Sequence, residues 1–311
     1  MNCSILTDSY GRTITDVRAA LTNKCNLKCV YCHSEGECIN GCQRHDSSNI
    51  IEKDDLIELL NILTDLGVKT IKLTGGEPLL RKDLCDIIRA IPKSVNVSLT
   101  TNGILLSKYA EDLKEAGLSR VNVSLDSLNP ETYKRISGFD MLSKVLDGIE
   151  AALSAGLVPV KINMVVLPGI NDNEIDDFIE FVKGKENMIL QFIELMDING
   201  WTDSIGETDY SSTEIVKHLE ERFMKEAEII ATRKMHHRKI YMLDGTKIEV
   251  VRPMHNAEFC ANCNRLRITS DGFLKPCLLK SGNEVNIAGI HGEDLKKAIS
   301  DAVKNRCPFF T

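Results

Sequence analysis

The sequence predicts an α/β fold: a partial (β/α)6 barrel of TIM-like type, continued by a C-terminal α+β extension. Two observations predict it. Short β-rich runs alternate with helical periods of three and four through the first two thirds of the chain. The strand runs are largely apolar, which implies parallel strands covered by helices. About six such units suit an open or partial barrel better than a flat doubly wound sheet, the alternative arrangement.

The first strand is expected over Asp16–Thr22, around the run Val17–Leu21. A helical period at Asp54–Leu66, closed by Gly67, leads to a second strand at Thr70–Thr74. Lys82–Ile91 returns the chain to Asn96–Thr100, with Cys85 as a small packing residue in that helix. Ser107–Ala116, closed by Gly117, precedes Arg120–Leu125. Leu142–Ala155, closed by Gly156, precedes Val160–Val166, and Glu174–Lys183 precedes the sixth strand, Ile189–Met196. The three glycines stand where left-handed caps are expected. After about Ile198 the alternation stops. This sets an expected boundary between a barrel domain, 1–198, and a C-terminal region, 199–311. There Trp201–Tyr210 reads as a polar loop and Glu214–Phe223 as a helix. Lys239–Leu243 and Lys247–Val251, joined at Asp244-Gly245, read as a β-hairpin.

With 43% hydrophobic residues in 311, the chain can bury a full core. The net charge is −7 and no basic tail or stripe is present, so nucleic acid is not an expected partner. An anionic ligand must therefore be gathered by a local arginine or lysine cluster. No apolar stretch approaches membrane-spanning length and the polar N-terminus has no signal-peptide pattern, so a cytoplasmic enzyme is expected. Eleven cysteines in such a chain read as metal ligands or core residues, not disulfides.

Cys25, Cys29 and Cys32 form C-x3-C-x2-C just after the first strand. Three thiolates so close can hold three corners of an iron–sulfur cube and leave one iron open for a reactant. A structural zinc is the other reading, with His33, Cys38 and Cys42 as the nearest further donors. Cys260, Cys263 and Cys277 form a second group, C-x2-C-x13-C, and Cys307 follows thirty residues on. Here a zinc ribbon and a cluster stand about even. Between these cysteines lies Asn264-Arg265-Leu266-Arg267. If that segment is extended, Arg265 and Arg267 project to one side, and an anion between them relieves their repulsion. Lys72 and Lys161 fall inside strand patterns, where lysine is unusual. The C-terminal ends of successive strands carry Cys25–Cys32, Gly75–Gly76, Thr101–Asn102 and Asp126, so a barrel puts them on one rim. His236 and His237 fit no ligand spacing and are expected at the surface.

Taken together, C-x3-C-x2-C with Tyr31 before its last cysteine, and Thr74-Gly75-Gly76-Glu77-Pro78 after the second strand, resemble the radical S-adenosylmethionine superfamily. The C-terminal C-x2-C-N-R-L-R…C resembles, within it, the GTP 3′,8-cyclase family of molybdenum-cofactor biosynthesis. The likeness runs from Gly11-Arg12 to about Asn286. It implies two 4Fe–4S clusters, one on Cys25, Cys29 and Cys32 and one on Cys260, Cys263 and Cys277. It further implies S-adenosylmethionine contacts at Tyr31, Gly76, Ser124 and Met196. GTP contacts are implied at Arg18, Lys72, Thr101, Lys161, Arg265, Leu266 and Arg267. The reaction implied is one-electron cleavage of S-adenosylmethionine followed by rearrangement of GTP to 3′,8-cyclo-7,8-dihydro-GTP. A one-electron donor such as flavodoxin or ferredoxin is an implied partner. So is the downstream cyclic pyranopterin monophosphate synthase accessory protein, and a homodimer is compatible. Two features depart from the family pattern. Many relatives end in a Gly-Gly tail, whereas this sequence ends Arg306-Cys307-Pro308-Phe309-Phe310-Thr311, and the Cys38, Cys42 pair has no family role. A peptide-modifying maturase with an auxiliary cluster and a zinc-stabilised binding module are the rival readings.

Overall fold

The computed structural model describes residues 5–33, 50–196, 211–254, 256–280 and 282–308. Cys3, Cys38, Cys42 and the expected loop Trp201–Tyr210 lie outside these residues. Six strands run in sequence order and pair parallel to one another: β1 (Asp16–Ala20), β2 (Thr70–Thr74), β3 (Asn96–Thr101), β4 (Arg120–Ser124), β5 (Val160–Val166) and β6 (Met188–Glu194). Between them lie α1 (Lys53–Asp65), α2 (Leu84–Ala90), α3 (Leu106–Ala116), α4 (Pro130–Ser137), α5 (Leu142–Ser154) and α6 (Ile175–Val182). Gly67, Gly117 and Gly156 all adopt positive φ after their helices, as expected. The sequence reading missed α4. Its signals are nonetheless local: Asn129 caps the helix, Pro130 opens it and left-handed Gly138 closes it.

Period-two alternation divides every strand between two environments. Val17, Ala19, Ile71, Leu73, Leu99, Val121, Val123, Ile162 and Met164 are fully buried and share one core with the helices. The alternate residues form the other face and are polar: Arg18, Lys72, Ser98, Asn122, Lys161 and Gln191. An enclosed barrel of this type fills its interior with branched apolar side chains. A polar interior cannot pack that way, and here the sheet stays open.

Six further strands complete it: β7 (Glu228–Thr232), β8 (Lys239–Leu243), β9 (Thr246–Val251), β10 (Arg265–Ile268), β11 (Phe273–Lys275) and β12 (Val285–Asn286). The strand order is β12-β11-β10-β1-β2-β3-β4-β5-β6-β9-β8-β7, an open twelve-stranded sheet. β10 pairs parallel to β1 and β9 parallel to β6, so the C-terminal strands extend the barrel at both edges. The expected β8–β9 hairpin is present. Its turn places Asp244 and Gly245 both at positive φ, the geometry that matches the twist of two strands. The expected helix after residue 211 is longer than its apolar period, running as α7 (Ser212–Glu226) from a Ser211–Glu214 capping box. Two helices complete the chain, α8 (Ala257–Ala261) and α9 (Gly292–Lys304).

Candidate active site

The rim is built by two loops that touch backbone to backbone. Gly76 N–H donates to Thr22 O at 2.6 Å and Glu77 N–H to Lys24 O at 2.7 Å. A Cβ at Gly76 would overlap the Lys24 carbonyl, and one at Gly75 the Thr22 carbonyl. Only glycine permits this approach, which fixes the chain entering Cys25. Glu77 is fully buried. It accepts from Thr101 Oγ1 at 2.8 Å, from Asn102 N–H at 2.8 Å and from Leu79 N–H at 3.0 Å. Burial pushes its carboxyl up, and those donors pull it back. Thr101 therefore spends its hydroxyl on the loop. Asn102 Nδ2 bonds Asn26 Oδ1 at 2.7 Å, tying β3 to the cysteine loop as well.

Cys25 and Cys32 are exposed and Cys29 partly buried. The Cys29 thiol is pushed up by burial, then by Asp126 and the other two cysteines, which places all three in one charged neighbourhood. Cys32 N–H bonds Cys29 O at 3.1 Å, closing the turn between them. Tyr31 donates to Asp126 Oδ2 at 2.6 Å, and Val165 N–H donates to Asp126 Oδ1 at 2.9 Å. Burial raises Asp126 to about 6. Ser124 and Met196 are half-buried near this end of β4 and β6. Among the described residues, no three Cys, His, Asp or Glu side chains converge as ligands of a single ion.

The floor lies below, on the polar face. Register places Arg18 beside Arg267 of β10 and beside Lys72 of β2. Arg265, one alternation earlier, pairs with Asp16. β10 is thus extended as expected, and Arg265 and Arg267 share a side. Leu266 is fully buried in the core on the other side, so any ligand contact from it is through its main chain. Burial, then Arg18, Arg265 and Lys161, push the Lys72 ammonium well below its usual range. Lys161 does not stand free. It donates to Glu249 Oε1 at 2.8 Å and to Gln191 Oε1 at 3.3 Å. Glu249 also accepts from Arg233 Nε at 2.9 Å and faces Arg238 at 3.4 Å. Burial pushes Glu249 up, but Lys161, Arg238 and Arg233 outweigh it and hold the carboxyl near 2. Sequence reading missed Glu249, which only the pairing of β9 with β6 brings onto Lys161. It also misplaced His236, which is 8% exposed and not at the surface, whereas His237 is exposed.

Cys260, Cys263 and Cys277 are partly buried at the β10 edge. Arg12 Nη1 donates to Cys260 O at 3.1 Å and to Pro308 O at 3.0 Å, while Arg306 Nη2 donates to Cys263 O at 2.9 Å. Asp8 accepts from both arginines, at 2.7 and 2.9 Å. This buried knot fastens the Cys307 segment beside the second cysteine group.

The residues fit a polar cofactor and an anionic ligand. The Cys25 and Cys32 residues are exposed at the rim. Ser98 Oγ, Thr100 Oγ1, Asn122 Oδ1 and Asn163 Oδ1, all on the polar face, are buried with no hydrogen-bond partner among the described residues. Native interiors seldom leave such groups unpaired.

Comparison with known proteins agrees. The family description "Radical SAM superfamily" matches residues 20–182, and "Molybdenum Cofactor Synthesis C" matches 188–310. A "Probable GTP 3′,8-cyclase" of Archaeoglobus fulgidus is 47% identical over 98% of this chain and 99% of its own. Proteins of the same name from Methanosarcina mazei and Pyrococcus abyssi are each 47% identical, over 99% and 96% of this chain and 90% and 94% of theirs. Among solved structures, Streptococcus suis SuiB bound to its precursor peptide SuiA superposes with a TM-score of 0.66 at 16% identity. The match covers 97% of this chain and 66% of that one. The structure titled native anSMEcpe with bound AdoMet superposes with a TM-score of 0.61 at 19% identity, over 92% and 81%. These two share the fold. Superfamily membership implies one 4Fe–4S cluster and binding of S-adenosylmethionine. No helix among the described residues is long and apolar enough to cross a membrane. The chain belongs to the radical S-adenosylmethionine superfamily and, within it, to the GTP 3′,8-cyclase family.

Proposed function

We propose that this protein converts GTP to 3′,8-cyclo-7,8-dihydro-GTP, the opening step of molybdenum-cofactor synthesis, with a 4Fe–4S cluster at each cysteine group. The observation that carries this is the row Arg267, Arg18, Lys72, in register across three strands beneath the Cys25–Cys32 rim. Such a row gathers positive charge along one line, and guanidiniums grip phosphate oxygens in pairs.

Cys25, Cys29 and Cys32 would hold the first cluster, and Cys260, Cys263 and Cys277 the second. When bound, the first cluster and S-adenosylmethionine supply one-electron chemistry that breaks a C–H bond of the substrate. The protein's part is positioning and shielding. Gly75 and Gly76 hold the methionine end close to the cysteine loop, and Ser124, Met196 and the Tyr31–Asp126 pair shape the adenosine side. Arg18, Lys72, Arg265 and Arg267 grip the triphosphate, with the main chain of Leu266 alongside. Lys161, pinned by Glu249, and Thr101, pinned to Glu77, border the ribose. A one-electron donor of the flavodoxin or ferredoxin kind would feed the rim. The synthase accessory protein of the next step would take the product.

Arg265→Ala or Arg267→Ala is expected to weaken GTP affinity roughly 10- to 100-fold, as loss of a hydrogen bond between charged groups implies. Cleavage of S-adenosylmethionine by the anaerobic, reduced protein should persist. Equal loss of both, with iron content and folding intact, overturns this division of roles.

A further inference from the structure

Register sorts the polar face into rows that climb toward the rim, two residues apart along each strand. The lowest is the cationic row Arg267, Arg18 and Lys72, which continues onto Ser98 of β3. The next is Thr100, Asn122 and Lys161, in register across β3, β4 and β5. Above it stand Ser124, Asn163 and Gln191. Two strand residues span roughly 6.6 Å. Thr100 and Asn122 therefore lie about one such step above the row that grips phosphate, and one step below Ser124, assigned above to S-adenosylmethionine.

Thr100 and Asn122 are neighbours across adjacent strands, yet they do not bond each other. Asn122 is 3% exposed, and its Oδ1 has no hydrogen-bond partner among the described residues; neither has the buried Thr100 Oγ1. An unpaired acceptor in an interior is a standing cost that packing alone does not explain. Phosphate oxygens accept, as an amide oxygen does, so a phosphate cannot fill Asn122 Oδ1. The group that fills it has to donate. In a nucleoside triphosphate held by the row below, the next chemical unit is the ribose. Its hydroxyls both donate and accept, which matches one amide oxygen beside one threonine hydroxyl.

We propose that Asn122 and Thr100 form a ribose-hydroxyl subsite: one sugar hydroxyl of the nucleotide donates to Asn122 Oδ1 and accepts from Thr100 Oγ1. The pair selects a ribonucleotide over its deoxy analogue and holds the sugar between the cationic row and the rim. This rests on the function proposed above and adds a neutral contact that the cations cannot supply, because they have no acceptor to offer.

The test is calorimetric titration of GTP, 2′-deoxy-GTP and 3′-deoxy-GTP into anaerobic protein carrying both clusters. The natural protein should bind one of the two deoxy analogues about ten-fold more weakly than GTP, or worse. Asn122→Ala should weaken GTP about ten-fold and bind GTP and that analogue within about three-fold of each other, since both changes remove the same contact. Thr100→Val keeps the shape and suits a strand. It should narrow the same gap, and it carries the test if Asn122→Ala does not fold. Affinity for S-adenosylmethionine, titrated alone, should hold in both variants. Equal affinity of the natural protein for all three nucleotides, an equal loss for all three in Asn122→Ala, unaltered GTP affinity in both variants, or weakened S-adenosylmethionine binding overturns the subsite. Failure of the natural protein to bind GTP overturns the proposed function, and this subsite with it.

Discussion

The rim and the floor of the site are both buried and both charged, yet they settle their charges in opposite ways. On the rim each carboxylate is met by neutral donors: Glu77 by two main-chain N–H groups and Thr101, Asp126 by Tyr31 and Val165 N–H. The rim is complete without a ligand charge. On the floor Arg18, Lys72, Arg120, Lys161, Arg233, Arg238, Arg265 and Arg267 crowd together, with Asp16 paired to Arg265 and Glu249 to Lys161, Arg233 and Arg238. Burial and mutual repulsion press the lysines down, Lys161 to about 7. A rim that supplies geometry and a floor dense in positive charge fit a site that orients one reactant and holds an anionic one.

The sharpest way to break this contrast is a change with no charge at all. Gly76→Ala puts a methyl group into the Lys24 carbonyl, and backbone, not a flexible side chain, has to move. The displaced segment runs straight into Cys25. Iron content of the anaerobically reconstituted variant is expected to fall by about four atoms per chain, with no S-adenosylmethionine cleavage. Gly67→Ala is the control. Its Cβ meets nothing within 4 Å, and only its positive φ is penalised, by about 1 kcal/mol of stability. Full iron and full cleavage in Gly76→Ala would remove the steric basis assigned to the rim.

On the floor the expected effect is smaller and falls on stability. Glu249→Gln keeps size and part of the hydrogen bonding but leaves Lys161, Arg233 and Arg238 without their shared anion. Removing one partner of a buried pair costs roughly 3–5 kcal/mol. In a chain of this size that is about 6–20 °C in thermal midpoint. GTP should recover part of that loss by supplying negative charge, so the midpoint gain on adding GTP is expected to exceed that of the natural protein. An equal gain would mean that Glu249 and the nucleotide do not share these cations.

The rim was more legible in the sequence than the floor, because its signals are local. Three cysteines within eight residues and Gly75-Gly76-Glu77 depend on contacts along short segments, and the strand alternation that raises them to one edge is a local period. The pairing of Arg18 with Arg267 joins residues far apart in the chain. No window of sequence records it, although the same-side placement of Arg265 and Arg267 follows from an extended segment. Glu249 lies in a half-polar strand and reads there as an exposed face; only β9 pairing with β6 brings it onto Lys161. His236 beside His237 reads as a polar surface pair, and left-handed backbone at two such residues leaves no compositional trace. Helix α4 is a different kind of miss. Asn129-Pro130 and Gly138 mark its ends, but its length is near the lower limit at which a helical period can be recognised.

The smallest expected effect separates the two regions by the sign of a pH dependence. Asp126 on the rim has its pKa raised from 3.8 to about 6. Between those values the folded chain binds more protons than the unfolded one, so its contribution to stability grows on acidification from pH 6 to 4. Glu249 on the floor has its pKa lowered from 4.5 to about 2. Its contribution is present above pH 4.5 and is lost as pH falls toward 2. Asp126→Asn removes a burial cost that builds up as pH rises from about 4 to 6 and is complete above it, worth at most about 3 kcal/mol, less the weaker hold on Tyr31. The difference in thermal midpoint between Asp126→Asn and the natural protein is therefore expected to rise in favour of the variant from pH 4.5 to 7. For Glu249→Gln the deficit is expected to stay constant over that range and to shrink only below it. A deficit for Asp126→Asn that deepens with rising pH would mean the rim carboxylate is held by charge, as the floor is, and the contrast between them would fail.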